Sequence, residues 1–126
     1  MLPTYTSDAG KTGENFACEH LKKQGYTILA RNWRKKYGEI DIVAKAPGGT
    51  LVFVEVKYLR VVGDGGLMPE DQLTFDKSKK LKKTCQAFAN SHPELVLRKG
   101  WRIDLLAILP FDNKAYLFKH FSILLR

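Results

Sequence analysis

Cysteine is scarce in this chain of 126 residues: Cys18 and Cys85 are the two present, far apart and in no CxxC pair. That excludes a disulfide framework and makes a reducing cytoplasm the expected setting. Long apolar runs are missing too. Stretches such as residues 105–111 fall far short of the ~20 residues a membrane span needs, so no membrane partner is expected. The N-terminus lacks the basic-then-apolar pattern of a signal peptide. Repeats, linkers and low-complexity blocks are absent, which points to one domain over residues 1–126. His20, His92 and His120 show no ligand spacing, which argues against zinc. Acid is in short supply: 13 Asp and Glu stand against 21 Lys and Arg, a net charge of +8. With 44% hydrophobic and 27% charged residues, what remains is a small basic globular protein suited to a polyanionic partner.

Local patterns give the element order. Asp8 as N-cap and Gly25 as the left-handed C-terminal residue bracket a helix over 8–24. Its apolar stripe is Ala17, Cys18 and Leu21, and Glu14 heads the same face. Strands are expected over 26–33, 39–45 and 51–58, with a turn at Pro47, Gly48 and Gly49. Gly63, Gly65 and Gly66 mark a mobile loop over 62–67. A second helix over 73–92 ends at Pro93, and strands follow over 102–109 and 116–125, the last at a sheet edge. The order α-β-β-β-α-β-β makes the second helix a crossover between parallel strands, hence a mixed central sheet flanked by helices, an α/β fold.

A three-residue loop centred on Gly48 sets the hairpin register. It pairs Lys45 with Leu51, Val43 with Phe53, Asp41 with Glu55 and Glu39 with Lys57. Ile42 with Val54 and Ile40 with Val56 then form the opposite, apolar face. Slipping by one residue would destroy that face. Asp41 and Glu55 thus land opposite each other, with Cβ atoms about 4.5–5.5 Å apart. Two such charges repel unless one is protonated or a cation lies between them, and Mg²⁺ is a natural remedy. Lys57 projects on the same side, where it would orient water or stabilise charge on a phosphate. The alternative is a solvated sheet face on which Lys57 neutralises Glu39 and Glu55. Val43 and Phe53 argue for a covered face, and Glu14 for a helix covering it.

Asp41 followed by Glu55-Val56-Lys57 resembles the PD-(D/E)xK signature of restriction-endonuclease-like enzymes. More of the chain is similar to the YraN-like family of uncharacterised bacterial proteins, itself similar to archaeal Holliday junction resolvases. The residues that carry it are Gly13-Glu14 with Ala17 and Leu21, Gly25-Tyr26, Arg31-Asn32, Gly38-Glu39-Ile40-Asp41, Phe53-Val54-Glu55-Val56-Lys57, Lys77 and Arg102-Ile103-Asp104. The resemblance implies a restriction-endonuclease-like core. It also implies Asp41 and Glu55 as metal ligands, Lys57 as catalytic lysine and Glu14 as an accessory acid. Where relatives read VEVK-x-R, Tyr58 and Leu59 both precede Arg60 here, which leaves that arginine's role open.

The expected activity is Mg²⁺-dependent endonucleolytic hydrolysis of nucleic acid, most simply DNA, with Mn²⁺ as a substitute. A backbone carbonyl at Val56 would complete the metal site. Arg31, Arg34, Lys35, Lys36, Arg60, Lys77, Lys79, Lys80 and Lys83 are the candidates for holding the nucleic-acid backbone. For the lysines of the second helix a solvated face is the alternative, and Lys77 equally suits a snorkelling edge position. Trp33, Trp101 and Tyr37 suit either base stacking or core packing. Asp104, in an apolar strand, needs a partner such as Arg102 or Lys77. A nucleic-acid-binding module without turnover, and an assembly protein dimerising through its last strand, are the rival readings. A homodimer fits resolvase-like action.

Overall fold

In the computed structural model, residues 7–58, 75–96, 99–110 and 116–125 are described, with side chains over 13–58, 79–96, 99–109 and 116–123. The first helix, α1 (Ser7–Lys23), stops where the chain meets Gly25 at φ 91°. Tyr26 N–H donates to Leu21 C=O and Gly25 N–H to Lys22 C=O, each at 3.0 Å. This paired cap satisfies two terminal carbonyls and needs the left-handed residue that glycine supplies. Strands β1 (Thr27–Lys35), β2 (Gly38–Lys45) and β3 (Leu51–Tyr58) follow, then α2 (Phe75–Ser91), a four-residue helix α3 (Pro93–Val96), β4 (Trp101–Pro110) and β5 (Tyr116–Leu125). Helix α3 was not expected. Pro93 ends α2 as anticipated but also opens a new turn, where its fixed φ suits the first helical position. The glycine-rich segment 62–67 lies outside the described residues.

The strands form one sheet in the order β1-β2-β3-β4-β5. β3 and β4 are parallel, joined through α2, while the other neighbouring pairs are antiparallel. β5 is therefore an edge strand, as its sequence suggested. Among the described residues no helix is long and apolar enough to cross a membrane.

Each face of the sheet is buried under one helix. Ala17, Cys18 and Leu21 of α1 pack on Ile42, Ala44, Val52, Val54, Leu106 and Ile108. Leu81, Cys85, Phe88 and Ala89 of α2 pack on Ile40, Val43, Leu51, Phe53, Trp101 and Ile103. Side chains such as Leu21 and Phe53, fully buried, each contribute roughly 1.5–3 kcal/mol of hydrophobic stabilisation.

The structure departs from strict alternation in two places. α1 covers the Ile42/Val54 face, not the Val43/Phe53 face, which lies under α2. Ile40 joins Val43 rather than Ile42. The cause lies between two register pairs, Arg31↔Ile42 and Trp33↔Ile40. Between them Asn32 adopts φ 53°, a left-handed conformation that turns the following side chain to the other face. Asp41, opposite this kink, is released to the α1 side.

Asp104 is fully buried among the apolar residues of β4. Arg102 Nε donates to its two oxygens at 3.1 and 3.2 Å, and His120 Nε2 lies 2.7 Å from Oδ2. The same guanidinium donates to the Tyr26 hydroxyl at 3.0 Å. Arg102 is thus the expected partner, joined by His120 and Tyr26.

Candidate functional site

The β2–β3 ladder runs from Lys45↔Leu51 to Ile42↔Val54 as the loop chemistry dictates, and then stops. The next pairs expected from the same register, 41 with 55, 40 with 56 and 39 with 57, do not form as ladder pairs. Instead Asp41 Oδ2 accepts a hydrogen bond from the Val56 N–H at 2.8 Å. In an extended strand a residue's N–H and C=O point to the same edge. The Val56 carbonyl therefore faces the gap left where β2 departs.

Glu14, Asp41, Glu55, Val56 and Lys57 line one cavity of about 270 Å³, together with Gly13 and Tyr58. α1 brings Glu14, β2 brings Asp41, and β3 brings the other three. Burial pushes the Asp41 carboxyl up to about 8, and the nearby Glu55 charge adds to the shift against the opposing Val56 hydrogen bond. Burial likewise raises Glu55, opposed chiefly by Lys57, whose ammonium lies 3.5 Å from it, and by a hydrogen bond with Asp41. Glu14 Oε1 is buried without a hydrogen-bond partner; the Arg31 guanidinium stands 3.6 Å away, beyond hydrogen-bond reach. Two crowded carboxylates, an orphaned carboxylate oxygen and a free-facing carbonyl make a set of hard oxygen donors. Among the described residues no three His, Cys, Asp or Glu groups converge closely enough to hold an ion by themselves. The set suits a cation that takes one or two carboxylates and keeps its waters, as Mg²⁺ does.

The basic candidates distribute unevenly. Arg31 is turned to Glu14, and Arg34 pairs with Glu39 at 2.8 Å. Lys35 lies over the Trp33 ring at 5.3 Å and Lys83 over Tyr37 at 5.0 Å. Lys36 and Lys79 are exposed, and Lys80 borders a second cavity beside β3. Arg60 and the Lys77 side chain lie outside the described residues. Trp33 and Trp101 take the packing role, edge-on to Phe88 and Phe53. The residues not singled out were Thr84 and Leu81, which line that second cavity. Their signal was a core-facing period on α2, which does not distinguish a wall from a core.

Comparison places this architecture. The crystallised Holliday junction resolvase Hjc of Archaeoglobus fulgidus superposes with a TM-score of 0.52 at 21% identity, over 88% of this chain and 83% of that one. The fold is thus restriction-endonuclease-like. The profile of the Uncharacterised protein family UPF0102 matches residues 13–108. UPF0102 proteins of Thermotoga petrophila and Persephonella marina are 40% and 39% identical over 100 and 111 residues. Those alignments cover 79% and 88% of this chain, and 85% and 90% of the relatives. The chain belongs to the UPF0102 family, the YraN-like group its motifs resembled.

Proposed function

We propose that this protein is a metal-dependent endonuclease hydrolysing phosphodiester bonds, with DNA as substrate. The observation that carries the reading is the buried Asp41–Glu55 pair in one cavity: burial raises both carboxyls, and the Glu55 charge raises Asp41 further. The nuclease-like fold and the net charge of +8 support it. Asp41, Glu55 and the Val56 carbonyl would hold Mg²⁺, or Mn²⁺ in its place. Such an ion would supply an activated water and neutralise charge on the phosphate.

The protein's own groups do the rest. Lys57, held beside Glu55, orients the water and meets charge building on a non-bridging phosphate oxygen. Glu14 draws further positive charge toward the cavity. The lysines of α2 and Arg34, Lys35 and Lys36 near the β1–β2 turn hold the backbone, at a cost in affinity as salt rises. Both cysteines are free and buried, in keeping with a reducing cytoplasm.

The test is a panel of duplex, single strand, flap, four-way junction and RNA with Mg²⁺ or Mn²⁺. Wild type cleaves at least one member; Asp41→Ala and Lys57→Ala do not, with the fold intact by circular dichroism. Cleavage persisting in both variants overturns the site. Salt-sensitive binding without any metal-dependent product makes the protein a binding module instead.

A further inference from the structure

On the α2 side of β3 lies a second cavity, of about 190 Å³, which shares Glu55 and Lys57 with the carboxylate cavity. We infer that it holds one unstacked nucleotide next to the phosphate under attack, so that the preferred substrate carries an unpaired nucleotide beside the cleavage position. The inference rests on the phosphodiesterase reading and narrows its substrate class.

The walls define the ligand. Leu81 and the Tyr37 ring supply apolar surface, and Tyr37 is 39% exposed. Lys57 and Lys80 stand at this cavity as cations, and Lys83 lies 5.0 Å from the Tyr37 ring centre. Of the two acids on this side, Glu39 pairs with Arg34 at 2.8 Å and Glu55 with Lys57 at 3.5 Å, which leaves the Lys80 charge for a ligand. A bare phosphate would not use the apolar wall, and an apolar side chain would not use the lysines. A flat base on a phosphate tether uses both, through stacking and charge.

The slot is also preformed. Gly38, at the start of β2, packs so tightly on α2 that an added Cβ would stand 2.3 Å from Thr84 Oγ1. That contact fixes the turn against the helix and the width between them. A base pair does not fit a space of this size, so a base must leave its stack to enter. Leaving costs least where the nucleotide is mismatched, frayed or already unpaired. Gaps, flaps and single strands are therefore favoured over continuous duplex.

The experiment uses the full chain carrying Asp41→Asn, in buffer without divalent cation, so that no cleavage intervenes. Fluorescence anisotropy compares continuous duplex, the same duplex with a one-nucleotide flap, and that flap as an abasic sugar. The flap binds about tenfold more tightly than the other two. Adding Tyr37→Ala or Lys80→Ala removes the preference, whereas Lys79→Ala lowers all three affinities alike and keeps it. Equal affinity for the three probes, or a uniform loss with Tyr37→Ala, overturns the inference. Cleavage of continuous duplex as fast as flap by the wild type likewise overturns it while the endonuclease reading stands. A flap preference in a protein that cleaves nothing with Mg²⁺ or Mn²⁺ keeps the nucleotide slot and overturns the endonuclease reading.

Discussion

The Val56 N–H donates to Asp41 Oδ2 across 2.8 Å, so a side chain stands where the next β2–β3 ladder bond would form. This bond favours the charged carboxylate, yet burial and Glu55 outweigh it, and the Asp41 carboxyl is raised. The consequence for stability has a definite sign. A folded state with raised carboxyl pKa values binds more protons than the unfolded chain, so metal-free stability falls as pH rises from the ordinary carboxylate range through the folded value. A divalent cation reverses that loss. Mg²⁺ or Mn²⁺ should therefore raise the melting temperature more at pH 8 than at pH 6. Asp41→Asn should flatten the pH profile and gain ~1 kcal/mol over wild type at pH 8 without metal. Differential scanning calorimetry reads both, and an equal cation shift in the two proteins would sink the metal assignment.

Glu14 separates function from stability. Its ion pair with Arg31 is long, at 3.6 Å, and the arginine side chain is 37% exposed. Such pairs contribute less than ~1 kcal/mol, so Glu14→Gln should barely move a urea midpoint. The lost charge should be felt at the cavity instead, as a several-fold weaker Mn²⁺ titration of cleavage. A large stability loss with unchanged Mn²⁺ dependence would make Glu14 structural.

Much of this was legible in the chain because it depends on short-range periodicities. The Gly48-centred loop fixed the hairpin register, and Gly25 marked the end of α1. Glu14, Asp41, Glu55 and Lys57 stood out by residue type and spacing. Strict alternation set Asp41 on the face that α2 covers, but the kink at Asn32 turns it to the α1 side beside Glu14. The limit was the same periodicity carried too far. Asn32 is not glycine, so its left-handed conformation carries no compositional flag, and it reverses the phase that assigned Ile40 its face. The partners of Asp104 show a second limit. A buried acid in an apolar strand demands compensation, but His120 joins Arg102 in meeting it, and Tyr26 holds the guanidinium, only once the strands assemble.

That Asp104 cluster makes a stability prediction independent of catalysis. Removing the carboxylate leaves the Arg102 guanidinium without its counter-charge and the His120 Nε2 without its partner, on side chains only 22% and 24% exposed. Asp104→Ala should cost ~3 kcal/mol, near the lower end of buried-pair disruption because both partners reach some solvent. Tyr26→Phe removes one hydrogen bond from the same guanidinium and should cost ~1 kcal/mol. Guanidinium chloride unfolding measures both. If Asp104→Ala costs no more than Tyr26→Phe, the cluster is not held by its charge.

Gly38 and Thr84 should be coupled. Thr84 is fully buried and its hydroxyl donates to the Lys80 carbonyl at 2.9 Å, so the Oγ1 atom cannot swing aside without losing that bond. A Cβ on residue 38 would meet Oγ1 at 2.3 Å while the Thr84 Cβ stays at an ordinary 3.5 Å. The clash is thus with one atom, and Gly38→Ala alone should cost ~1–3 kcal/mol as overpacking. Thr84→Ala removes that atom at a cost of ~1 kcal/mol from the lost hydrogen bond. Because the single variants share the same contact, the double variant should be more stable than the sum of their effects allows, by ~1 kcal/mol or more. Urea unfolding of the four proteins closes the cycle. Strict additivity would mean that the β1–β2 turn moves off α2 to admit the methyl group, and the nucleotide slot between them would then be adjustable rather than preformed.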